Sequence, residues 1–381
     1  MFDEVISYIR TLYGEGFIPL HEPRFIGNEK FYVNECIDST FVSSVGKFVD
    51  RFEEMLCEIT GSKFAVATVN GTAALHISLL LAGVERDDEV LTQALTFVAT
   101  PNAISYTGAH SVFLDSSVDN LGLCPDDLRT FLEQNATVDN DGFCYNKTTK
   151  RRIKACVPMH VFGHPVKLDE IIEICKQYNI FVIEDAAESL GSLYKGRHTG
   201  TIAPVGALSF NGNKIVTSGG GGALLIQDEK LAKRAKHITT TAKVPHRWEF
   251  FHDEIAYNYR LPNLNAALIC AQLEKLEDFK INKRETASKY EKFFSEKGLQ
   301  FLTEPPLCES NYWLNAVLLK NKEEQQSFLT ATNNSNVMTR PVWRLMSDLP
   351  AFSHYQTTKL VNAKRYEETL VNIPSSVRLH K

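Results

Sequence analysis

The chain has 381 residues, of which 44% are hydrophobic and 23% charged, the usual mix of a globular protein with material for two or three domains. Its 41 Lys and Arg against 46 Asp and Glu give a net charge of −5, so no basic excess favours binding to nucleic acid or a membrane surface. We expect neither a signal peptide nor an apolar run of about 18 residues that could span a bilayer. Eight cysteines without Cys-x-x-Cys spacing predict reduced thiols in a cytoplasmic protein without a metal site.

Residues 1–45 are predicted to form an arm that begins with a short amphipathic helix and continues irregularly through HEPRFIGNEK. From residue 46 onward, helical and strand-like periods alternate. The predicted strands are 63–70, 89–94, 111–116, 154–162, 181–187, 207–211 and 222–227. The predicted helices are 45–60, before the first strand, and 72–83, 98–108, 125–135 and 167–179, between strands. Repeated strand–helix–strand units indicate a mostly parallel sheet with helices on both faces.

Two other segments depart from this alternation. The polar stretch 138–152 is predicted to be a hairpin or loop inserted between units. A long helix is predicted to start near Asn263 and to run into a charged continuation, with a smaller α+β region beyond Gly298. We therefore predict a large domain over 1–260 and a small C-terminal domain over 261–381.

Candidate ligand-binding residues follow the predicted strands, because open α/β sheets bind ligands at the carboxyl ends of their strands. Asn70-Gly71-Thr72-Ala73 opens a helix, where N–H groups and the helix dipole can bind a phosphate, although an ordinary capped turn explains it as well. Phe97 follows the next strand and could present its ring to a flat ligand. Taken alone, it is better explained as a core residue.

The two remaining strand ends carry ionisable groups. Asp185, after the apolar strand FVI, could hold a protonated ring nitrogen, or it could cap a helix. Lys214, in SFNGNK, could be a desolvated amine nucleophile, or a surface lysine before a glycine-rich hairpin. Together the four strand ends match pyridoxal phosphate, which needs an amine for its aldehyde, an acid for its ring nitrogen, a helix start for its phosphate and a flat apolar cover.

Longer stretches of the sequence resemble the DegT/DnrJ/StrS family of sugar aminotransferases: VNGTAALH, TFVATPNAI, VPMHVFGHP, VIEDAAESLGSLYKG, LSFNGNK and YNYRLPNLNAAL. Within the family, HEPRFIGNEK and DSTFVSSVGKFVDRFE resemble the LegC subgroup, which acts on UDP-linked 4-keto sugars in legionaminic-type pathways. The resemblance implies fold type I of the pyridoxal phosphate enzymes. That fold has a large domain with a mostly parallel seven-stranded sheet and a smaller α+β domain.

The resemblance also implies roles for individual residues. Lys214 would bond covalently to the cofactor and shuttle the proton, Asp185 would pair with the pyridinium nitrogen, and Phe97 would stack on the ring. The residues implied for phosphate binding are Gly71, Thr72, Ala73 and Ser209. Glu188 would lie near the cofactor's 3-hydroxyl, at a place where relatives carry Gln or His and perosamine-synthase-like members carry Glu.

Three further residues are implied around the cofactor. His160 is expected to support the cofactor site from behind, and Asn258 and Arg260 to reach the phosphate site of a partner subunit, so the active unit would be a homodimer. Gly220 replaces an acid that is common in the family, which leaves that acid's role in substrate binding in doubt. Arg340 and the 138–152 insertion are candidate contacts of the substrate.

The implied reaction is a ping-pong transfer of an amino group from glutamate to the C4 ketone of a nucleotide-linked 4-keto-6-deoxy sugar, here a UDP-linked N-acetylated sugar. The alternative is a GDP-perosamine synthase-like aminotransferase. A related sugar dehydratase is disfavoured because it carries His where Lys214 stands. A scaffold protein without activity is a rival from another class, and a dinucleotide-dependent enzyme is disfavoured because no Gly-x-Gly-x-x-Gly follows a strand.

Overall fold

The computed structural model describes residues 2–379, and within them seven strands form one central sheet. The strands in spatial order are Phe64–Thr68, Gly222–Ile226, Val205–Ser209, Phe181–Asp185, Ile153–Val157, Glu89–Gln93 and His110–Leu114. Gly222–Ile226 runs antiparallel to both of its neighbours, whereas the other four pairs are parallel. The predicted mostly parallel seven-stranded sheet is therefore confirmed.

Helices cover both faces of this sheet, which explains why its strands read as nearly continuous apolar runs. All five residues of Glu89–Gln93 and of Gly222–Ile226 are buried. The helices of the chain up to residue 273 are Phe2–Tyr13, Glu29–Asp38, Lys47–Thr60, Gly71–Leu81, Ala99–Tyr106, Pro125–Asn135, Leu168–Gln177, Glu229–Thr239 and Asn263–Leu273. The predicted helices between the strands are thus all present, with ends shifted by a few residues.

A second, four-stranded antiparallel sheet follows in the C-terminal part of the described chain. Its strands in spatial order are Gln300–Phe301, Asn315–Leu318, Leu370–Ile373 and Arg340–Pro341. The helices that accompany it are Leu276–Glu296, Lys322–Asn334 and Val361–Thr369. The predicted α+β character of this region is confirmed, while the domain boundary at 260/261 stays a prediction.

The arm and the region around residue 274 differ from expectation. The predicted first helix buries Val5, Ile6 and Ile9 in a cluster with Phe294 and Phe328 of the C-terminal part. A second arm helix, Glu29–Asp38, was not predicted, and it packs against Asn263–Leu273. The single long helix expected from Asn263 is instead two helices, separated at residues 274–275.

The remaining elements are short. The predicted hairpin in the polar insertion is confirmed as strands Ala136–Val138 and Cys144–Asn146. The other short elements are strands Leu193–Tyr194, Arg197–His198, Lys243–Val244, Phe251–His252 and Cys308–Glu309, and 3-10 helices Val161–Gly163 and Met346–Asp348. All eight cysteines are free thiols, five of them buried and three half-buried. Among residues 2–379, none of the helices is both long and apolar enough to cross a membrane.

Candidate active site

A cavity of about 340 Å³ opens at the carboxyl edge of the central sheet. The strands Phe64–Thr68, Glu89–Gln93, Phe181–Asp185 and Val205–Ser209 all point their carboxyl ends toward it, because they run in the same direction. The predicted site residues that line the cavity are Gly71, Thr72, Phe97, Asp185, Glu188, Ser209 and Lys214. The structure thus brings together residues that are up to 143 positions apart in the chain, from Gly71 to Lys214.

The start of helix Gly71–Leu81 forms one end of the cavity. Asn70 caps it, and the Asn70 Oδ1 accepts the Ala73 N–H at 2.8 Å. A Cβ atom on Gly71 would lie 2.8 Å from Ser209 Cβ, so only glycine lets the helix start approach Ser209 this closely. The capped turn and the anion site are therefore compatible: the cap engages Ala73, while Gly71 and Thr72 line the cavity.

Asp185 is a buried acid whose hydrogen bonds orient it at the end of its strand. The residue is only 2% exposed. Its Oδ2 accepts from Thr100 Oγ1 at 2.7 Å, and its Oδ1 accepts the Ala187 N–H at 3.2 Å. Burial raises the pKa of Asp185, while the Thr100 hydrogen bond and the Lys214 charge act in the opposite direction. A cation bound in the cavity would therefore stabilise the ionised form of this carboxyl group.

Lys214 lies inside the cavity wall and not on the surface, since the residue is 9% exposed. Its Nζ is 3.3 Å from Glu188 Oε1 and 4.1 Å from the centroid of the Trp313 ring. Glu188 Oε2 accepts the Phe162 N–H at 2.9 Å. Burial raises the pKa of Glu188 to about 7, against the lowering effect of Lys214 and Phe162. The amine and the two buried carboxyl groups thus line the same cavity.

Four of the residues expected around the cofactor do not line the cavity: Ala73, whose N–H is engaged by the Asn70 cap, and His160, Asn258 and Arg260. His160 is buried and does not line the cavity, which agrees with its expected place behind the cofactor, and its supporting role stays a prediction. Its Nε2 lies 3.1 Å from Glu184 Oε2, and its Nδ1 accepts the Val166 N–H at 3.2 Å. Asn258 and Arg260 are exposed and hydrogen-bonded to each other at 2.8 Å, so their expected role across a subunit interface stays a prediction.

Neither expected substrate contact lies on the cavity wall. Arg340 is exposed, and its guanidinium donates to Asn333 Oδ1 and to the Thr339 carbonyl. The 138–152 segment lies near the amino ends of the central strands, away from the cavity. There the Asn146 side chain donates to Glu89, the first residue of strand Glu89–Gln93. Their proposed substrate contacts therefore find no support in the geometry of a single chain.

Two tryptophans complete the cavity and were not predicted. Trp313 donates from Nε1 to the Asn213 carbonyl at 2.6 Å, next to Lys214. The Trp343 ring centroid lies 6.1 Å from that of Phe97, which is 47% exposed, and 5.2 Å from that of Phe162. The chain has three tryptophans in all, and this rarity was a signal that could have drawn attention to them.

Comparisons with known proteins identify the family of this chain. The model of the DegT/DnrJ/EryC1/StrS aminotransferase family matches residues 24–381. The chain is 37% identical to GDP-perosamine synthase of Escherichia coli O157:H7, over 94% of this chain and 93% of that protein. It is 30% identical to GDP-perosamine synthase of Vibrio cholerae, over 94% of each. Among solved structures, aminotransferase TlmJ of Streptoalloteichus hindustanus superposes with a TM-score of 0.84 at 26% identity, over 94% of each chain.

The residues of the cavity fit pyridoxal phosphate. An amine lies beside buried carboxyl groups, and a glycine at the helix start leaves space that a Cβ atom would fill. These are the groups needed for an aldehyde, a ring nitrogen and a phosphate. Fold, site and family match agree, and the chain belongs to the DegT/DnrJ/EryC1/StrS family as a pyridoxal phosphate-dependent aminotransferase.

Proposed function

We propose that this enzyme transfers an amino group from glutamate to the C4 ketone of a GDP-linked 4-keto-6-deoxy sugar, in the cytoplasm. The observation that carries the reaction type is the position of the Lys214 amine, 3.3 Å from Glu188 in the cavity that Asp185 also lines. The GDP-linked substrate is supported by the two GDP-perosamine synthases, each of which this chain matches over 94% of its length. Glu188 adds support, because it is the residue that resemblance associates with perosamine-synthase-like members.

Lys214, Asp185 and the phosphate-binding residues each have a role in this proposal. Pyridoxal phosphate, when bound, supplies an aldehyde and an electron-withdrawing ring. Lys214 Nζ would bond to the aldehyde carbon and, when released, would move a proton from the amino acid Cα. The Asp185 carboxylate would hold the ring nitrogen in its protonated form. Gly71, Thr72 and Ser209 would hold the phosphate at the positive end of the helix.

The UDP-linked, legionaminic-type substrate is the competing proposal. Its support is the resemblance of HEPRFIGNEK and DSTFVSSVGKFVDRFE to the LegC subgroup. The first of these segments lies in the arm, and the structure places none of its residues on the cavity wall. The named relatives therefore favour the GDP-linked sugar, and a direct comparison of substrates decides between the two.

We also propose that the enzyme acts as a homodimer in which each subunit completes the other's site. Large apolar side chains are exposed in two segments of the single chain: Phe25, Ile26, Phe31, Phe41, Val45, Trp248, Phe250, Phe251 and Ile255. Burying them against a second copy would remove this surface from water. Asn258 and Arg260 follow the second segment and would reach the partner's phosphate site from there.

Two experiments test the substrate and the lysine. Purified enzyme is assayed with GDP-, UDP- and dTDP-linked 4-keto-6-deoxy sugars and glutamate, and we expect the highest kcat/KM with the GDP-linked sugar. A preference for the UDP-linked sugar would establish the competing proposal. Borohydride reduction of the holoenzyme, followed by mass spectrometry, is expected to find the cofactor on the peptide that contains Lys214.

A third experiment tests the shared site. Lys214→Ala and Arg260→Ala subunits, each inactive or weak alone, are mixed after mild dissociation. A mixed dimer has one site with both an intact lysine and an intact arginine, so measurable activity should return. Mixing without recovery, in a sample shown to contain mixed dimers, would contradict the shared site.

A further inference from the structure

Glu188 and Lys214 form a buried acid–amine pair with an unusual constraint on the acid. The two side chains are 3.3 Å apart, and the exposed fractions of their side chains are 1% and 11%. Burial penalises both charges, and the Coulomb attraction between them offsets only part of this penalty. Transfer of a proton that neutralises both groups is therefore opposed less strongly in this cavity than in water.

The carboxyl group is oriented by the backbone around it. Phe162 donates its N–H to Glu188 Oε2 from a left-handed conformation, with φ of 56°. The next residue, Gly163, has φ of 95°, and a Cβ atom there would lie 1.9 Å from Asn311 Oδ1. Asn311 Nδ2 in turn donates to the Glu188 carbonyl at 2.9 Å. Glu188 Oε1 is therefore directed at Lys214 by fixed structure and not by a flexible side chain alone.

We propose that Glu188 is a catalytic residue that accepts a proton from the Lys214 ammonium group. The N–H bond breaks, an O–H bond forms at Oε1, and the lone pair of the amine becomes available to bond to an aldehyde carbon or to take a proton from carbon. Proton and charge balance within the pair, so neither water nor an outside base is required. The inference rests on the proposed aminotransferase function, because that reaction needs Lys214 both protonated and neutral.

The surroundings stabilise both the protonated form of Glu188 and the protonated form of Lys214, so neither group is held permanently in one state. Burial raises the pKa of Glu188 to about 7, and the neighbouring Asp185 carboxyl acts in the same direction. The His21 ring centroid lies 6.5 Å from that of Trp313, and burial lowers the pKa of His21 well below its usual value. His21 is therefore neutral and does not compete for the proton. The Trp313 ring, 4.1 Å from Lys214 Nζ, stabilises the ammonium form by a cation–π contact.

The test follows the protonation of Lys214 directly. The full-length enzyme in its pyridoxamine phosphate form, in which the Lys214 amine is free, is labelled briefly with an amine-reactive anhydride from pH 5 to pH 10. Mass spectrometry then gives the labelling rate of the Lys214 peptide. In the wild type we expect two steps separated by a plateau, because over the middle range one proton is divided between the two groups in a fixed ratio.

Glu188→Gln removes the acceptor but keeps an oxygen for the Phe162 N–H, and we expect this variant to lose one step and titrate in a single step. Lys236, which pairs with Glu53 at 2.6 Å near the surface, is labelled in the same samples and should show one step. A single step for Lys214 in the wild type, with Glu188→Gln only moving its midpoint, would mean a simple ion pair and would overturn the proposal. Labelling does not depend on the sugar, so failure here is distinct from failure of the substrate assignment.

Discussion

The cavity has two walls of different origin. The strand-end wall, made by Gly71, Asp185, Glu188, Ser209 and Lys214, carries the ionisable and phosphate-binding groups. The aromatic wall, made by Trp313 and Trp343, comes from the C-terminal part of the chain. The reactive groups therefore come from one edge of the central sheet, while a segment far away in the sequence encloses and positions them.

The two walls are connected by hydrogen bonds to the backbone. Asn311 donates to the Glu188 and Leu190 carbonyls, and Trp313 donates to the Asn213 carbonyl. One short C-terminal segment thus holds the chain on both sides of the Lys214–Glu188 pair. If the two walls have these roles, substitutions in the strand-end wall should abolish amino transfer, whereas substitutions in the aromatic wall should only slow it.

The largest effect is expected from Lys214→Ala. This variant loses the amine that bonds to the cofactor and moves the proton, so we expect turnover to fall by more than about 10³-fold. The other residues of the cavity remain, so the cofactor should still bind noncovalently, as its absorbance spectrum would show. Lys233→Ala, at a lysine whose side chain is 76% exposed, is the control and should be fully active. Full activity of Lys214→Ala would refute the role of the strand-end wall.

Asp185→Asn should have the next largest effect. The amide keeps an oxygen for the Thr100 hydroxyl but has no charge to balance a protonated ring nitrogen, so we expect kcat to fall by about 10²-fold. Thr100→Val is the matched variant, since it removes only the 2.7 Å hydrogen bond to Asp185. A hydrogen bond to a charged group contributes roughly 1.5–3 kcal/mol, which limits the expected loss to about 10–100-fold. Equal activity of Asp185→Asn and the wild type would contradict the pairing.

The strand-end wall was predictable because its signals are local. Asp185 and Ser209 end apolar strands, Lys214 comes five residues after Ser209, and parallel strands bring their carboxyl ends together. Phe97 was selected from TFVAT, but Thr100, three residues later, was overlooked although its hydroxyl orients Asp185. The sheet was predictable for the same reason: its strands and helices have clear hydrophobic periods.

The aromatic wall and parts of the arm were not predictable from local patterns. Trp313 contacts the carbonyl of Asn213, 100 residues earlier, and no spacing in the sequence encodes that approach. Helix Glu29–Asp38 was missed because Phe31 and Ile37 are exposed while Glu29 is buried, which reverses the usual hydrophobic pattern.

Trp313→Phe tests how much the aromatic wall positions the lysine. The smaller ring keeps an aromatic face but loses the Nε1 bond to the Asn213 carbonyl, so we expect kcat to fall by about 5–10-fold, the value of one ordinary hydrogen bond. The midpoints of Lys214 labelling should also move. Trp343→Phe, whose ring contacts Phe97 and Phe162, should change KM more than these midpoints. A loss as large as that of Lys214→Ala would remove the distinction between the two walls.

The smallest effect on catalysis is expected beneath the aromatic wall, at Lys283. Its buried Nζ donates to the Trp313 and Ser375 carbonyls, and burial lowers its pKa from 10.5 to about 7. Between pH 7 and 10.5 the unfolded chain therefore binds more protons at this residue than the folded chain. The lysine's contribution to the free energy of unfolding must rise with pH over that range, by an amount on the order of a few kcal/mol.

Lys283→Met removes this titration, so the difference in Tm between wild type and variant should shift in favour of the wild type as the pH increases from 7 to 10. Lys289→Met is the control, because Lys289 lies on the same helix but its side chain is 41% exposed, and its Tm difference should not follow pH in this way. Turnover of Lys283→Met at its best pH should stay within a few-fold of the wild type, because Lys283 hydrogen-bonds to the backbone carbonyl of Trp313 and not to its ring. A Tm difference independent of pH would show that Lys283 stays charged in the folded enzyme, and that the aromatic wall is supported by a buried cation.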